Sequence, residues 1–339
     1  MKPALPKMAI KIARPLLTGL CASALIVLTA QFAFSNLNLT PAAIPPATGV
    51  SLPEFSAPMA NSWALSLLRV KEAWRQHVCK KPITVAIIDT GIDSANPILK
   101  EMIREKGGWD FVTNTPDPAD EHGHGTHVAG IIHATTGGGM KQLDGKPCIS
   151  LMVLKYYDPA GGGGSNLERS RQALKFAIES GARIINYSGG GAVQDPEELK
   201  ILQNAQDKVL IVAAAGNNER DIDERGGAGY YPASYHLSNT IAVAAVQQNP
   251  LRLMESSNYG QNTVDIAAPG HKIFSTLPNQ TYGQMTGTSQ ATAFVSGIAA
   301  LIWSMHPDFS PQEVKEKLLK SSKSFPSLKK KVHTGGLVD

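Results

Sequence analysis

Thr286-Gly287-Thr288-Ser289-Gln290-Ala291 leads into a run through residue 303 that is almost wholly small or aliphatic, with no charge and no proline. The pattern predicts a buried helix. Ser289 falls in its first turn, at the positive end of the helix dipole and beside backbone N–H groups that lack intrahelical partners. That setting suits a forming oxyanion. An ordinary N-capping serine on a core helix would sit in the same place. The two readings part on whether the chain also supplies a base, an orienting carboxylate and an oxyanion donor.

Working outward, the other apolar runs read as buried strands. Pro82-Ile-Thr-Val-Ala-Ile-Ile-Asp89-Thr-Gly91 is a near-continuous one that ends in an acid and a glycine. In open α/β sheets the carboxyl end of a strand is where ligands bind, so Asp89 either caps the next turn or serves a site. Further strands are expected over 148–156, 183–188, 209–215, 239–246 and 264–268. The strongest ends Ala214-Ala215-Gly216-Asn217. Asn217 is a turn residue or, through its amide N–H₂, an oxyanion donor. His122-Gly-His124-Gly-Thr-His127-Val-Ala-Gly-Ile-Ile-His133 opens a small-residue helix. Four histidines invite a metal reading, but no His-Glu-x-x-His arrangement is present and the small residues indicate tight packing, so no metal is assigned. A histidine at a helix start is placed to anchor one ring nitrogen and expose the other. Ser165-Asn-Leu-Glu168 has capping-box spacing and predicts a helix start, as does Ser310-Pro-Gln-Glu313. The glycine runs 161–164 and 189–191 are flexible loops or places where another backbone approaches closely.

The composition, with 42% hydrophobic residues in 339, suffices for one large α/β domain. Residues 1–35 carry Lys2, Lys7, Lys11 and Arg14 without an acid, and 16–34 is apolar. That order reads as an export signal with cleavage after Ser35, the alternative being an uncleaved membrane anchor. Removing those four cations takes the formal charge from +4 to zero, so the basic pI carries no argument for nucleic acid. Residues 36–60, broken by Pro41, Pro45, Pro46, Pro53 and Pro58, read as a linker, and 61–339 as the globular domain. Cys79 and Cys148 each precede an apolar run, and in an oxidising compartment they are candidates to pair.

Asp89, His124, Asn217 and Ser289 thus fall at strand ends or helix starts, within Asp-Thr-Gly, His-Gly-Thr-His-Val-Ala-Gly, Ala-Ala-Gly-Asn and Gly-Thr-Ser. Four motifs in this order resemble the subtilisin-like serine proteases (subtilases) across roughly residues 63–338. The resemblance implies a three-layer α/β fold with a mostly parallel central sheet flanked by helices. It also implies a serine endopeptidase that acts through an acyl-enzyme; with the N-terminal segment the expectation is an exported enzyme, monomeric and without cofactor. Ser289 would be nucleophile, His124 base, Asp89 its orienting acid, and Asn217 an oxyanion donor with the Ser289 N–H. A polypeptide substrate would lie as an extended strand between Ser188, Gly189 and Gly190 on one side and Gly162 and Gly163 on the other, with Ala214, Ala215 and Gly216 lining the main specificity pocket. Adjacent parallel strands in the family topology would bring Cys79 and Cys148 to one end of the sheet as a disulfide.

Departures from the family pattern are Gln290 in place of its usual Met, Ala293-Phe294 in place of Pro-His, and no asparagine-rich calcium loop within 134–147. The acids Glu219, Asp221, Asp223 and Glu224 form either a solvated loop or a feature that favours basic residues at the cleavage site. An alternative of a different class is a catalytically silent subtilase fold that only holds peptides.

Overall fold

The computed structural model describes residues 62–104, 107–140, 142, 145–223 and 229–339. The expected signal, 1–35, and the whole of the expected linker, 36–60, lie outside them. No helix among the described residues is long and apolar enough to cross a membrane.

The chain begins with two short helices, α1 (Trp63–Leu67) and α2 (Val70–Gln76), then enters β1 (Ile83–Asp89). A one-turn helix α3 (Pro97–Lys100), β2 (Trp109–Asp110), helix α4 (His124–Thr135) and β3 (Ile149–Lys155) follow. Next come α5 (Gly163–Glu179), β4 (Ile184–Tyr187), α6 (Pro196–Gln203), β5 (Leu210–Ala214), β6 (Thr240–Gln247), β7 (Arg252–Leu253) and β8 (Ile266–Pro269). A hairpin of β9 (Ile273–Leu277) and β10 (Thr281–Met285) leads into α7 (Thr288–Met305), and α8 (Pro311–Lys320), β11 (Lys323–Ser324) and β12 (Gly336–Leu337) close the chain.

The main sheet runs β11-β12-β8-β6-β5-β4-β1-β3-β2, parallel from β12 to β2, with β7 antiparallel on β6. β9 and β10 form a separate antiparallel pair. The central strands are buried almost throughout, with Thr84, Ser150 and Gln247 half-buried near strand ends, because helices cover both faces. From β1 the chain goes one way to β3 and β2 and the other way to β4, β5 and β6, so the strand order reverses at β1. A crevice opens beyond the carboxyl ends of strands at such a point. The expected mostly parallel α/β architecture is the one observed.

The apolar run after Ser289 is α7, buried along nearly its whole length, and it carries Phe294 and Trp303 into the core. Its close neighbour α4 is made of small residues for a physical reason. A Cβ added at Gly125 would lie 2.2 Å from the Gly91 carbonyl oxygen, so only glycine lets the helix start press against the turn after β1. At the other end of the sheet, Cys79 and Cys148 are joined by a disulfide with Cα atoms 6.0 Å apart, beside the paired starts of β1 and β3. The capping box at Ser310 and Glu313 is present on α8. That read at Ser165 is not: α5 starts earlier, at Gly163, with Gly162 as a cap that has no side-chain bond. The 161–164 loop is therefore half helix terminus, because Asn166 turns back to bond Asp158 through both its side-chain oxygen and nitrogen and draws the chain into its first turn.

Candidate active site

β1, β4 and β5 are neighbours, about 4.8 Å apart, and each contributes a polar group at its carboxyl end. On β1, Asp89 is buried, and its Oδ1 accepts from the Thr90 N–H at 2.8 Å. The same oxygen lies 2.7 Å from His124 Nδ1. Against a carboxylate this nitrogen carries the proton and donates, which leaves Nε2 as the basic nitrogen of the neutral ring. His124 is only 2% exposed. Burial alone would lower its pKa, but the Asp89 charge and hydrogen bond outweigh burial and hold it above the usual histidine value.

The helix that presents His124 is held by a residue the sequence reading passed over. Asp120 is buried, and one of its oxygens takes the N–H groups of His122 and Gly123 and the Thr90 hydroxyl. The other takes the N–H and the hydroxyl of Thr126. Burial would raise this carboxyl, yet the bonds from Thr126, Gly123 and Thr90 prevail and keep its pKa below the ordinary carboxylate range. A charged group is thereby fixed at the positive end of α4. Its only sequence signal is an acid a few residues before a helix start.

Over β4, Ser289 opens α7 next to Ser188, and its Oγ donates to the Ser188 carbonyl oxygen at 3.0 Å. A buried polar ladder holds strand and helix together. Ser296 Oγ donates to Asn186 Oδ1, Asn186 Nδ2 donates to Ser188 Oγ, and Ser188 Oγ donates to the Ser289 carbonyl. Over β5, the Thr288 N–H donates to Asn217 Oδ1 at 2.9 Å. That bond sets the amide's orientation and makes Nδ2 its donor end. The Gly216 N–H donates to Thr288 Oγ1, a second tie between the β5 end and α7. Asn258, fully buried, shapes the turn by donating to the Ala215 carbonyl and accepting from the N–H groups of Asn218 and Arg220.

Carboxylate and imidazole, hydroxyl, and amide therefore lie across three successive strands. The set has the parts needed to activate a hydroxyl and to receive a negative oxygen. Gly189 is buried and Gly190 exposed along one flank, while Gly162 and Gly163 are exposed at the start of α5. Ala214, Ala215 and Gly216 are buried beside Asn217. His127 stays outside the constellation: its Nε2 lies 2.9 Å from the Ile273 carbonyl and ties α4 to the β9–β10 hairpin, and burial pushes its pKa down to about 3. Among the described residues no cluster of three or more His, Cys, Asp or Glu is arranged to hold a metal. Asp223 is bonded to the N–H groups of Asn262 and Thr263, and Asp221 to that of Asp223, so these acids organise a turn. Glu224 lies outside the described residues. Gln290 is buried with its amide 3.9 Å from Met285 Sδ, and Phe294 is part of the core, so both departures from the family pattern are absorbed by packing.

A model described as "Subtilase family" matches residues 80–335. The major intracellular serine protease of Bacillus subtilis is 38% identical over 258 residues, which cover 74% of this chain and 78% of that protein. Thermitase of Thermoactinomyces vulgaris is 38% identical over 64% of this chain and 74% of its own length. Among solved structures, the A subunit of the AB5 toxin from E. coli superposes with a TM-score of 0.66 at 26% identity, covering 82% of this chain and 96% of that one. The chain belongs to the subtilase family and is a serine-type endopeptidase.

Proposed function

We propose that the protein is an exported endopeptidase that cleaves extended polypeptides through an acyl-enzyme on Ser289. The observation that carries this is the buried Asp89–His124 pair at the end of β1, one strand away from Ser289 and two from Asn217. In the reaction the Ser289 hydroxyl turns from the Ser188 carbonyl toward His124 Nε2 and attacks the scissile carbonyl carbon as its proton passes to the imidazole. Asp89 stabilises the imidazolium. The tetrahedral oxyanion is received by Asn217 Nδ2 and the Ser289 N–H at the start of α7. His124 then protonates the leaving amine, and the same groups activate water to release the acyl product. The substrate strand pairs along 188–190, with the α5 start opposite.

Export is supported by the basic and then apolar order of residues 1–35 and by the Cys79–Cys148 disulfide, a bond that persists in oxidising compartments. A fluorophosphonate probe is expected to label the wild-type protein and to leave Ser289→Ala unlabelled. Labelling that survives the substitution would overturn the assignment.

A further inference from the structure

Residues 188–190 and 214–216 extend from the ends of the neighbouring strands β4 and β5, on either side of Ser289. A peptide paired along 188–190 with its carbonyl at Ser289 sends the side chain preceding the scissile bond into the gap between these two segments. In this chain a ring already crosses that gap. A Cβ added at Gly190 would lie 2.5 Å from Tyr230 Cε1 and 2.9 Å from its Cζ. One added at Gly216 would lie 2.8 Å from Tyr230 Cδ2 and 2.9 Å from its Cε2. Those atoms belong to opposite edges of one phenol, so the ring bridges the two glycines edge to edge. Neither position accepts a side chain, since the Tyr231 carbonyl oxygen crowds Gly190 and the Asn258 amide crowds Gly216 as closely as the ring does, and Gly216, at φ +97°, has a backbone that favours glycine in any case.

The ring is held rather than draped. Gly191 and Tyr231 exchange backbone hydrogen bonds at 3.0 and 2.8 Å, which clamps the segment bearing Tyr230 to the substrate-side strand extension. The Tyr230 N–H donates to Ser234 Oγ, and the Ser234 N–H donates back to the Tyr230 carbonyl, both at 2.9 Å. Arg220 ties the preceding residue by donating to the Gly229 carbonyl. Tyr230 is 5% exposed. With its backbone fixed in this way, the ring yields its place to an incoming side chain only by turning out of its buried position.

We infer that Tyr230 closes the main specificity pocket, so that the enzyme selects substrates with Gly, Ala or Ser immediately before the scissile bond. The inference rests on the endopeptidase reading above. One methylene more or less in an apolar pocket is worth about 10- to 200-fold, and a phenyl group exceeds the alanine methyl by far more than that.

The test is kcat/KM for tetrapeptide anilides identical except for Ala or Phe before the scissile bond, measured on wild type, Tyr230→Gly and Tyr230→Phe. Wild type is expected to favour Ala by at least about 10-fold. Tyr230→Phe keeps the ring and so keeps the preference. Tyr230→Gly loses it, chiefly through a gain on the Phe substrate. A wild type that cleaves the Phe substrate as well as the Ala one overturns the inference, whether or not Tyr230→Gly folds. So does an unchanged preference in a Tyr230→Gly that still takes the fluorophosphonate label. A wild type that takes no label overturns the endopeptidase reading itself, and this inference with it.

Discussion

His124 carries two opposed influences, burial that favours its neutral form and the Asp89 charge that favours the imidazolium, and the second prevails. In its proposed role as general base the ring must be neutral in the free enzyme. A raised pKa therefore moves the acid limb of the kcat/KM profile above the ordinary histidine value of about 6.5, and activity falls as pH drops through it. Asp89→Asn removes the charge, and the limb should move to lower pH. Its amide also no longer enforces the Nδ1–H tautomer, so kcat should fall by about 10⁴, the scale for this change in triads. A pH–rate profile of both proteins checks the two effects together. Asn217→Ala should act differently, because in the proposed reaction the developing oxyanion is the only substrate atom that Asn217 Nδ2 meets, its Oδ1 being engaged by the Thr288 N–H. It should lower kcat by about 10²–10³, the cost measured for loss of such a donor in subtilisin, with little change in KM. Steady-state kinetics that showed the loss in KM instead would place Asn217 in ground-state binding.

At the scale of elements, α4 and α7 aim the proposed catalytic groups, and Asp120 is what fixes the start of α4. Replacing it by alanine strands the N–H groups of His122, Gly123 and Thr126 and the hydroxyls of Thr90 and Thr126 in a buried setting. At about 1–3 kcal/mol for each unsatisfied buried group, with some relieved by water, the loss should be at least ~3 kcal/mol. Urea denaturation of Asp120→Ala should register that loss, and kcat/KM should fall through the displaced His124. The main elements are legible in the sequence because strands covered on both faces are near-continuously apolar, as over 82–88 and 209–215, and because α7 carries no charge and is buried on nearly every side. The short β2, β7, β11 and β12 are not, since two-residue strands carry no period. Asp89, His124, Asn217 and Ser289 stand out by residue type at the ends of such elements. Asp120 and Tyr230 do not: Asp120 serves residues within six positions, but an acid before a helix start is too common a pattern to show the burial that gives it weight, and the glycines that Tyr230 bridges follow two other strands. The start of α5 was misplaced for a related reason, since a downstream side chain, Asn166, sets it rather than a capping serine.

Across the whole molecule the chemistry and the covalent staple occupy opposite ends of the sheet. β1 runs seven residues from Ile83, beside the Cys79–Cys148 bond, to Asp89 in the site, a span of roughly 20 Å at ~3.3 Å per residue. The bond closes a loop with a sequence separation of 69, for which the chain-entropy account gives roughly 4 kcal/mol of stabilisation through the unfolded state. The site owes its geometry to bonds at the other end: Asp120 beneath α4, the Asn186–Ser188 ladder beneath α7, and Asn258 beneath the Gly216 turn. None of these partners contacts the cysteines' end of the strands. The double substitution Cys79→Ser with Cys148→Ser should therefore lower the melting temperature by about 10 °C, the shift expected when a domain of this size loses a few kcal/mol. At 25 °C, well below the transition, kcat/KM should stay within about twofold of wild type, because the unfolded state is affected and the native site is not. Differential scanning calorimetry paired with steady-state kinetics separates the two. A matched loss of activity at 25 °C in a protein that remains folded would mean that strain at the start of β1 reaches Asp89 along the strand, and that the sheet transmits force between its two ends.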